Sequence, residues 1–214
     1  MDRRRLQDVY DRRAATYDRT VGLGERIALG GLRRAFAAEL RGDVLEVAVG
    51  SGLNLPHYPS AVRRVIGVDL SGGMLRRART RAAEVSRPVA VAQMDAQRLA
   101  LRDASFDTVA ISLALCTVPD PEAALRELAR VCRADGQVVL LEHVRSPVWP
   151  VFVAQRLLTP LQERFIGCHL TRSTIDTACA LGFEIESERR RLFGVFRLVV
   201  ARPPASRGPW VGSA

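Results

Sequence analysis

From residue 43 onward the chain alternates short, nearly all-apolar runs with stretches of helical periodicity, and few architectures accommodate that rhythm. The runs are 43–49, "RRVIGVDL" (63–70), "PVAVAQMD" (88–95), "SFDTVAISLALC" (105–116) and "GQVVLLEHV" (136–144). Between them, Ser71 is suited to cap a helix reaching Val85, and Asp120-Pro121 introduces another through residue 133. A run that is apolar on both faces is expected to be buried on both, as in a parallel sheet covered by helices. The expected fold is therefore α/β and doubly wound. Two further β-like runs, 183–190 and 193–201, share a tight connection and should pair antiparallel at one edge.

Ahead of the sheet, residues 3–20 and 25–41 read as helices with Gly22 and Gly24 between them, an N-terminal helical cap over 1–41. Residues 145–172 read as irregular, a lid or substrate insertion, followed by a helix at 173–181. One domain over 1–201 is expected, with a Pro, Gly and Ser-rich tail from 202 to 214 that reads as disordered. No stretch approaches the ~20 apolar residues of a membrane span. The N-terminus lacks the apolar segment of a secretory signal, so a cytoplasmic location is expected. The four cysteines form no CxxC pair and have no histidine at ligand spacing, so no metal is expected. The net charge is +9, yet all 32 basic residues are arginine, scattered among acids and interleaved with few aromatics. That pattern argues against nucleic acid and leaves open an anionic substrate or peripheral contact with an acidic membrane.

The turn in "VLEVAVGSGLN" (44–54) states what is bound. In an open α/β sheet the ligand sits beyond the carboxyl ends of the strands. A dinucleotide fingerprint starting at Gly50 and Gly52 would need a third glycine where Leu55 stands, and a P-loop needs a lysine that this chain lacks. Asp69 ends the second strand 69 − 50 = 19 residues after Gly50, the distance at which a carboxylate accepts hydrogen bonds from ribose hydroxyls. Asp95, ending the third strand, could accept one from an adenine amino group. A ligand with ribose and adenine but no phosphates suggests S-adenosylmethionine, whose cationic sulfonium tolerates nearby carboxylates. Taken singly, Glu46 could instead cap the turn, and Asp69 could serve the dipole of the following helix.

Together, "VLEVAVGSGLN", "VIGVDLSGGML", "MDAQRLAL" and "SFDTVAISLALCTVPDPEAALRELARVCRADGQVVLLEHV" resemble the class I S-adenosylmethionine-dependent methyltransferases over about residues 10–200. The likeness lies near the quinone C-methyltransferases and bacterial phospholipid N-methyltransferases. It implies a Rossmann-like, seven-stranded sheet, mostly parallel with an antiparallel edge strand, and S-adenosyl-L-methionine as cofactor. It also implies cofactor contacts at Tyr17, Glu46, Ala48, Gly50, Gly52, Asn54, Asp69, Leu70, Met74, Asp95 and Ala96. Ala48 departs from the family, which usually has glycine there; its methyl restricts φ and close backbone approach.

The segment 142–172 resembles the small-thiol S-methyltransferases and also the bacterial phosphatidylethanolamine methyltransferases. The expected acceptor is a small, hydrophobic molecule, with a thiol favoured over a lipid amine or a quinone carbon. A cofactor-binding module without chemistry is the non-enzyme alternative, for which Ala48 is the only hint. His143, ending the fifth strand, is the first candidate proton acceptor and His169 the second; either could equally hydrogen-bond backbone carbonyls. Cys116 reads as a small buried hydrophobe. Trp149, Phe152 and Leu157 give the lid an apolar stripe, and Arg164 and Arg172 could meet an acceptor's anionic group or remain solvated.

Overall fold

The computed structural model describes residues 1–29 and 31–205, with residues 21–26 described by backbone alone. Seven strands form one sheet: β1 (Gly42–Val47), β2 (Val62–Asp69), β3 (Val89–Gln93), β4 (Phe106–Ser112), β5 (Cys132–His143), β6 (Glu184–Arg191) and β7 (Phe196–Arg202). Their spatial order is β3-β2-β1-β4-β5-β7-β6. The first five run parallel, while β7 pairs antiparallel with both β5 and β6. The chain moves outward from β1 to β3, then crosses back to β4. The carboxyl ends of β1 and β4 are therefore the switch point at which such sheets bind ligands.

The apolar runs are continuous because both faces of the inner strands are covered. On one face Leu45, Val109, Val138 and Leu140 pack with Leu125 and Leu128 of α5 (Pro121–Val131) and with Ile175 and Ala178 of α7 (Thr174–Ala180). On the other, Val44, Ala110, Val139 and Leu141 pack with Phe36 of α3 (Leu32–Ala38) and Leu75 and Ala78 of α4 (Gly72–Ala82). Ser71 caps α4 as expected, its side chain accepting from the Met74 N–H, and Asp120 caps α5 by accepting from Ala123.

Four boundaries depart from expectation. The cap holds three helices rather than two: α1 (Arg3–Arg13), α2 (Tyr17–Leu29) and α3. The chain bends at 14–16, and α2 continues through Gly22 and Gly24, so tertiary anchoring outweighs the roughly 1 kcal/mol that each glycine costs a helix. β4 stops at Ser112 instead of Cys116, because Leu113 takes a left-handed φ of 54° and the next N–H groups turn toward Glu142. Residues 149–166, expected to be irregular, form the longest helix, α6 (Trp149–Ile166). Its prolines mislead: Pro150 lies in the first turn, where the missing N–H costs nothing, and Pro160 is tolerated inside. Finally, β7 includes Arg202, and residues 206–214 of the expected tail lie outside the described residues.

Candidate functional site

The turns after β1, β2, β3 and β4 converge on a cleft open at its mouth. Ala48 and Gly50 line it from the first turn, Asp69 and Leu70 from the second, Asp95 and Ala96 from the third, and Leu113 and Thr117 from the fourth. Met74 of α4 contributes to the wall, and Leu6, Tyr10 and Tyr17 close it from the helical cap. Eight of the expected cofactor residues thus share one cavity: Tyr17, Ala48, Gly50, Asp69, Leu70, Met74, Asp95 and Ala96.

Asp69 holds the centre. Its Oδ2 accepts the Gly50 N–H at 2.9 Å and its Oδ1 accepts the Ser71 N–H at 2.8 Å. A carboxylate oxygen has two lone pairs, so both oxygens keep capacity for a ligand's hydroxyls. Shielding from water pushes this carboxyl up to about 6, against the pull of those two N–H donors. Gly50 takes φ +58°, which aims its N–H at Asp69. Ala48 takes φ +55°, a left-handed conformation that costs an alanine roughly 1–2 kcal/mol and accounts for glycine being usual there. Asp95 is oriented by a local turn: its Oδ1 accepts the backbone and side-chain N–H of Gln97 at 3.0 and 2.9 Å.

Two aspartates fasten the helical cap over the cleft. Asp11 accepts from the Ser71 hydroxyl at 2.6 Å and the Gly73 N–H at 2.7 Å. Asp18 accepts from the Ser51 hydroxyl at 2.6 Å and from Arg77 and Arg81 at 2.7 Å each. Burial alone would raise the Asp18 pKa, but the Ser51 and arginine bonds more than offset it and hold the carboxyl below its usual value. The bend between α1 and α2 lets both aspartates reach their partners. Tyr10, on the inner face, keeps a phenol that burial holds neutral.

Three expected cofactor residues lie off the cleft wall. Glu46 is wholly buried and accepts from the Asn54 amide and the Tyr58 hydroxyl; burial pushes its carboxyl up to about 7. Asn54 also donates to the Ser112 hydroxyl at 2.9 Å and accepts from Arg33. With Arg33, Tyr17, Gly50 and Ser51 it lines a smaller cavity beside the cleft. Gly52 is a packing residue: at φ +83°, a Cβ there would sit 3.0 Å from Leu55 Cδ1 and 3.2 Å from Ala78 Cα.

Neither candidate proton acceptor lines the cleft. The His143 ring stands edge-on to Phe196 at 5.4 Å, and burial lowers its pKa. Adjacent strand residues face opposite ways, and it is Glu142 that turns toward the site. Its Oε1 accepts the N–H groups of Ala114 and Leu115 at 3.1 and 3.2 Å, shaping the turn that presents Leu113 and Thr117. The His169 backbone N–H bonds the Cys116 carbonyl at 2.9 Å, and its Nε2 lies 3.6 Å from Glu163. Arg172 is committed to the carbonyls of Leu115 and Val118. Among the described residues no cluster of histidine, cysteine and carboxylate side chains could hold a metal ion.

Burial pushes Glu142 up to about 8. A carboxyl whose folded pKa exceeds its unfolded value of about 4.3 stabilises the fold fully below that lower value and loses the contribution as pH rises through the higher one. Urea midpoints of the wild type should therefore fall more between pH 6 and pH 9 (both about one unit or more from its folded pKa) than those of Glu142→Gln. Equal slopes would show that this carboxyl is not buried neutral.

Residues 45–140 match the Methyltransferase domain family. The phosphatidylethanolamine N-methyltransferase of Cereibacter sphaeroides is 41% identical over 142 residues, covering 64% of this chain and 69% of that protein. The chain belongs to the S-adenosylmethionine-dependent methyltransferases. The demethylmenaquinone methyltransferase of Thermobifida fusca is 36% identical over 158 residues, 70% of this methyltransferase and 66% of that protein. A solved S-adenosylmethionine-dependent methyltransferase from Thermotoga maritima shares the fold, with a TM-score of 0.69 at 22% identity over 92% of this chain and 99% of that one. S-adenosylmethionine is accordingly the methyl donor. The lining of the cleft fits it: the carboxylates of Asp69 and Asp95 can accept from hydroxyl and amino groups, and Leu70, Met74 and Ala96 give apolar walls.

Proposed function

We propose that this methyltransferase transfers its methyl group to the amine of an ethanolamine-type lipid head group. The observation that carries the reading is electrostatic. The titratable side chains lining the main cleft are Tyr10, Tyr17, Asp69 and Asp95, with no cation on the wall itself, although Arg3 stands 3.7 Å from Asp95 at its edge. An amine approaching as a cation is drawn to aromatic faces such as those of Tyr10 and Tyr17, and the wall offers no cation to pair with a thiolate or a quinol anion. The relative at 41% identity, named for phosphatidylethanolamine, supports the same class. The thiol reading rests on the resemblance of residues 142–172 and is the second arm of the test.

When bound, S-adenosylmethionine supplies an electrophilic methyl on a cationic sulfur. Asp69 would accept the ribose hydroxyls and Asp95 the adenine amino group. Leu70, Met74 and Ala96 would pack the adenosine, and Arg33, positioned by its bond to Asn54 Oδ1 in the side cavity, would receive the amino-acid carboxylate. Tyr10 and Tyr17, on helices fastened by Asp11 and Asp18, would cover the site and exclude water. With no histidine on the wall, the contribution of the protein is chiefly positioning and desolvation. The acceptor amine must then lose its proton to water before or as it enters.

Labelled S-adenosylmethionine incubated with phosphatidylethanolamine vesicles, a dithiol and a naphthoquinol in parallel tests this. Label in the N-methylated lipid is expected, at least about tenfold above the other two acceptors. Label confined to the dithiol would overturn the amine reading in favour of the thiol.

A further inference from the structure

Among the described residues, ten large apolar side chains are exposed, and nine lie on α6 and its cap, the β6–β7 turn and α2, which neighbour one another. Trp149, Leu157, Leu158, Leu161 and Phe165 belong to α6, with Val148 as its cap; Leu192 and Phe193 form the β6–β7 turn; Ile27 is on α2. Only Ile185 sits elsewhere, near the start of β6. The pieces are contiguous. The Ser146 hydroxyl donates to the Phe193 carbonyl at 2.6 Å, a Cβ on Gly194 would meet Pro147 at 2.9 Å, and Arg191 Nε donates to the Ala28 carbonyl at 3.0 Å.

α6 itself is held by one buried residue, Gln155, which bonds Ser146 N–H at 2.8 Å and the carbonyls of Val144 and Leu170 at 2.9 Å. Leu157, Leu161 and Phe165 are four apart and so share a face; Leu157 is 75% exposed and Trp149 73%. A patch this extensive on a water-soluble surface marks an interaction site.

The charges around it select the partner. Arg145, Arg156, Arg164 and Arg191 are exposed on the same elements, against Glu163, which faces His169. Apolar side chains flanked by arginines on a helix are the chemistry of an interfacial helix on anionic lipid. Among the described residues no helix is long and apolar enough to cross a membrane. The patch also adjoins the cleft: Leu6 and Tyr10 of α1 line the cleft, and Leu6 packs on Gly167 at the end of α6.

We propose that the exposed face of α6, with the 192–193 turn, docks the protein on the surface of an anionic bilayer, beside the mouth of the cleft. This deepens the lipid-acceptor reading, yet binding can be read with neither cofactor nor acceptor present, so the two can fail separately. The full chain is sedimented with vesicles of phosphatidylcholine containing phosphatidylglycerol, and with phosphatidylcholine alone. Sedimentation with the anionic vesicles is expected, weakened by salt. Leu157→Glu/Leu161→Glu/Phe165→Glu should reduce the bound fraction at least about tenfold, with unchanged helix content and cofactor affinity; Ile185→Glu should bind as wild type. In a Trp210→Phe background the Trp149 emission should shift to the blue on adding the anionic vesicles. Failure of the wild type to sediment, equal sedimentation of the triple variant, or an unshifted Trp149 would overturn the proposal. A dimer dissolved by the same triple substitution, without vesicle binding, would overturn it and assign the patch to a second copy.

Discussion

Asp69→Ala should reduce affinity for S-adenosylmethionine by two orders of magnitude or more in a calorimetric titration, with thermal unfolding still cooperative. Two ribose hydroxyls donating to one carboxylate are charge-assisted hydrogen bonds worth roughly 1.5–3 kcal/mol each. Losing both costs about 3–6 kcal/mol, or a factor of about 10² to 10⁴. The substitution also removes the acceptor of the Gly50 and Ser71 N–H groups, so the first turn loses the bond that sets its shape. Asp69→Asn, similar in size but with one acceptor oxygen, should fall between. A pH effect accompanies this. With the free carboxyl at about 6, affinity should be constant above that value and fall as pH drops through it, because a protonated Asp69 gives up acceptor capacity. Binding that changes less than about fivefold in Asp69→Ala would remove this residue from the ribose contact.

Gly52→Val is expected to be the most destabilising single change in the glycine turn. At φ +83° a β-branched side chain is a steric outlier. Its Cβ would also lie 3.2 Å from Ala78 Cα, a backbone atom of α4 that cannot step aside cheaply. Strain of about 1–3 kcal/mol and overpacking of about 1–3 kcal/mol add to roughly 2–6 kcal/mol. For a domain of this size the melting temperature should drop by about 5–20 °C. Gly50→Ala is the contrast, since the nearest atom to its Cβ would be the Ala48 carbonyl oxygen at 4.0 Å. Only the φ term applies there, about 1–2 kcal/mol. Equal melting temperatures for the two variants would mean that packing against α4 does not restrain the turn.

The strands were legible because burial on both faces writes continuous apolar runs, and the place of Asp69 beside Gly50 was legible because βαβ spacing brings it back there. What escaped depends on direction or on distant partners. The sequence does not say which way Glu46 or His143 faces, and each turns away from the cleft. Asp11 contacts Ser71 and Gly73 some sixty positions later, a pairing that no local pattern records. Tyr10 lines the site outside every motif, and Gln97 and Leu113 line it from within motifs whose pattern does not single them out, although Tyr17 pointed to the cap. α6 was missed because only Gln155 is buried along it, so no apolar period ties it to the core, and its prolines read as breaks.

The adenosyl group should occupy one nest, at the carboxyl ends of β1 to β3. A crystal structure of the complex with S-adenosylhomocysteine measures it directly. The ribose hydroxyls should meet the Asp69 carboxylate, the adenine should lie between Leu70 and Ala96 with its amino group toward Asp95, and the amino-acid end should point to Arg33. Density for the nucleoside elsewhere, or in the reverse orientation, would contradict it.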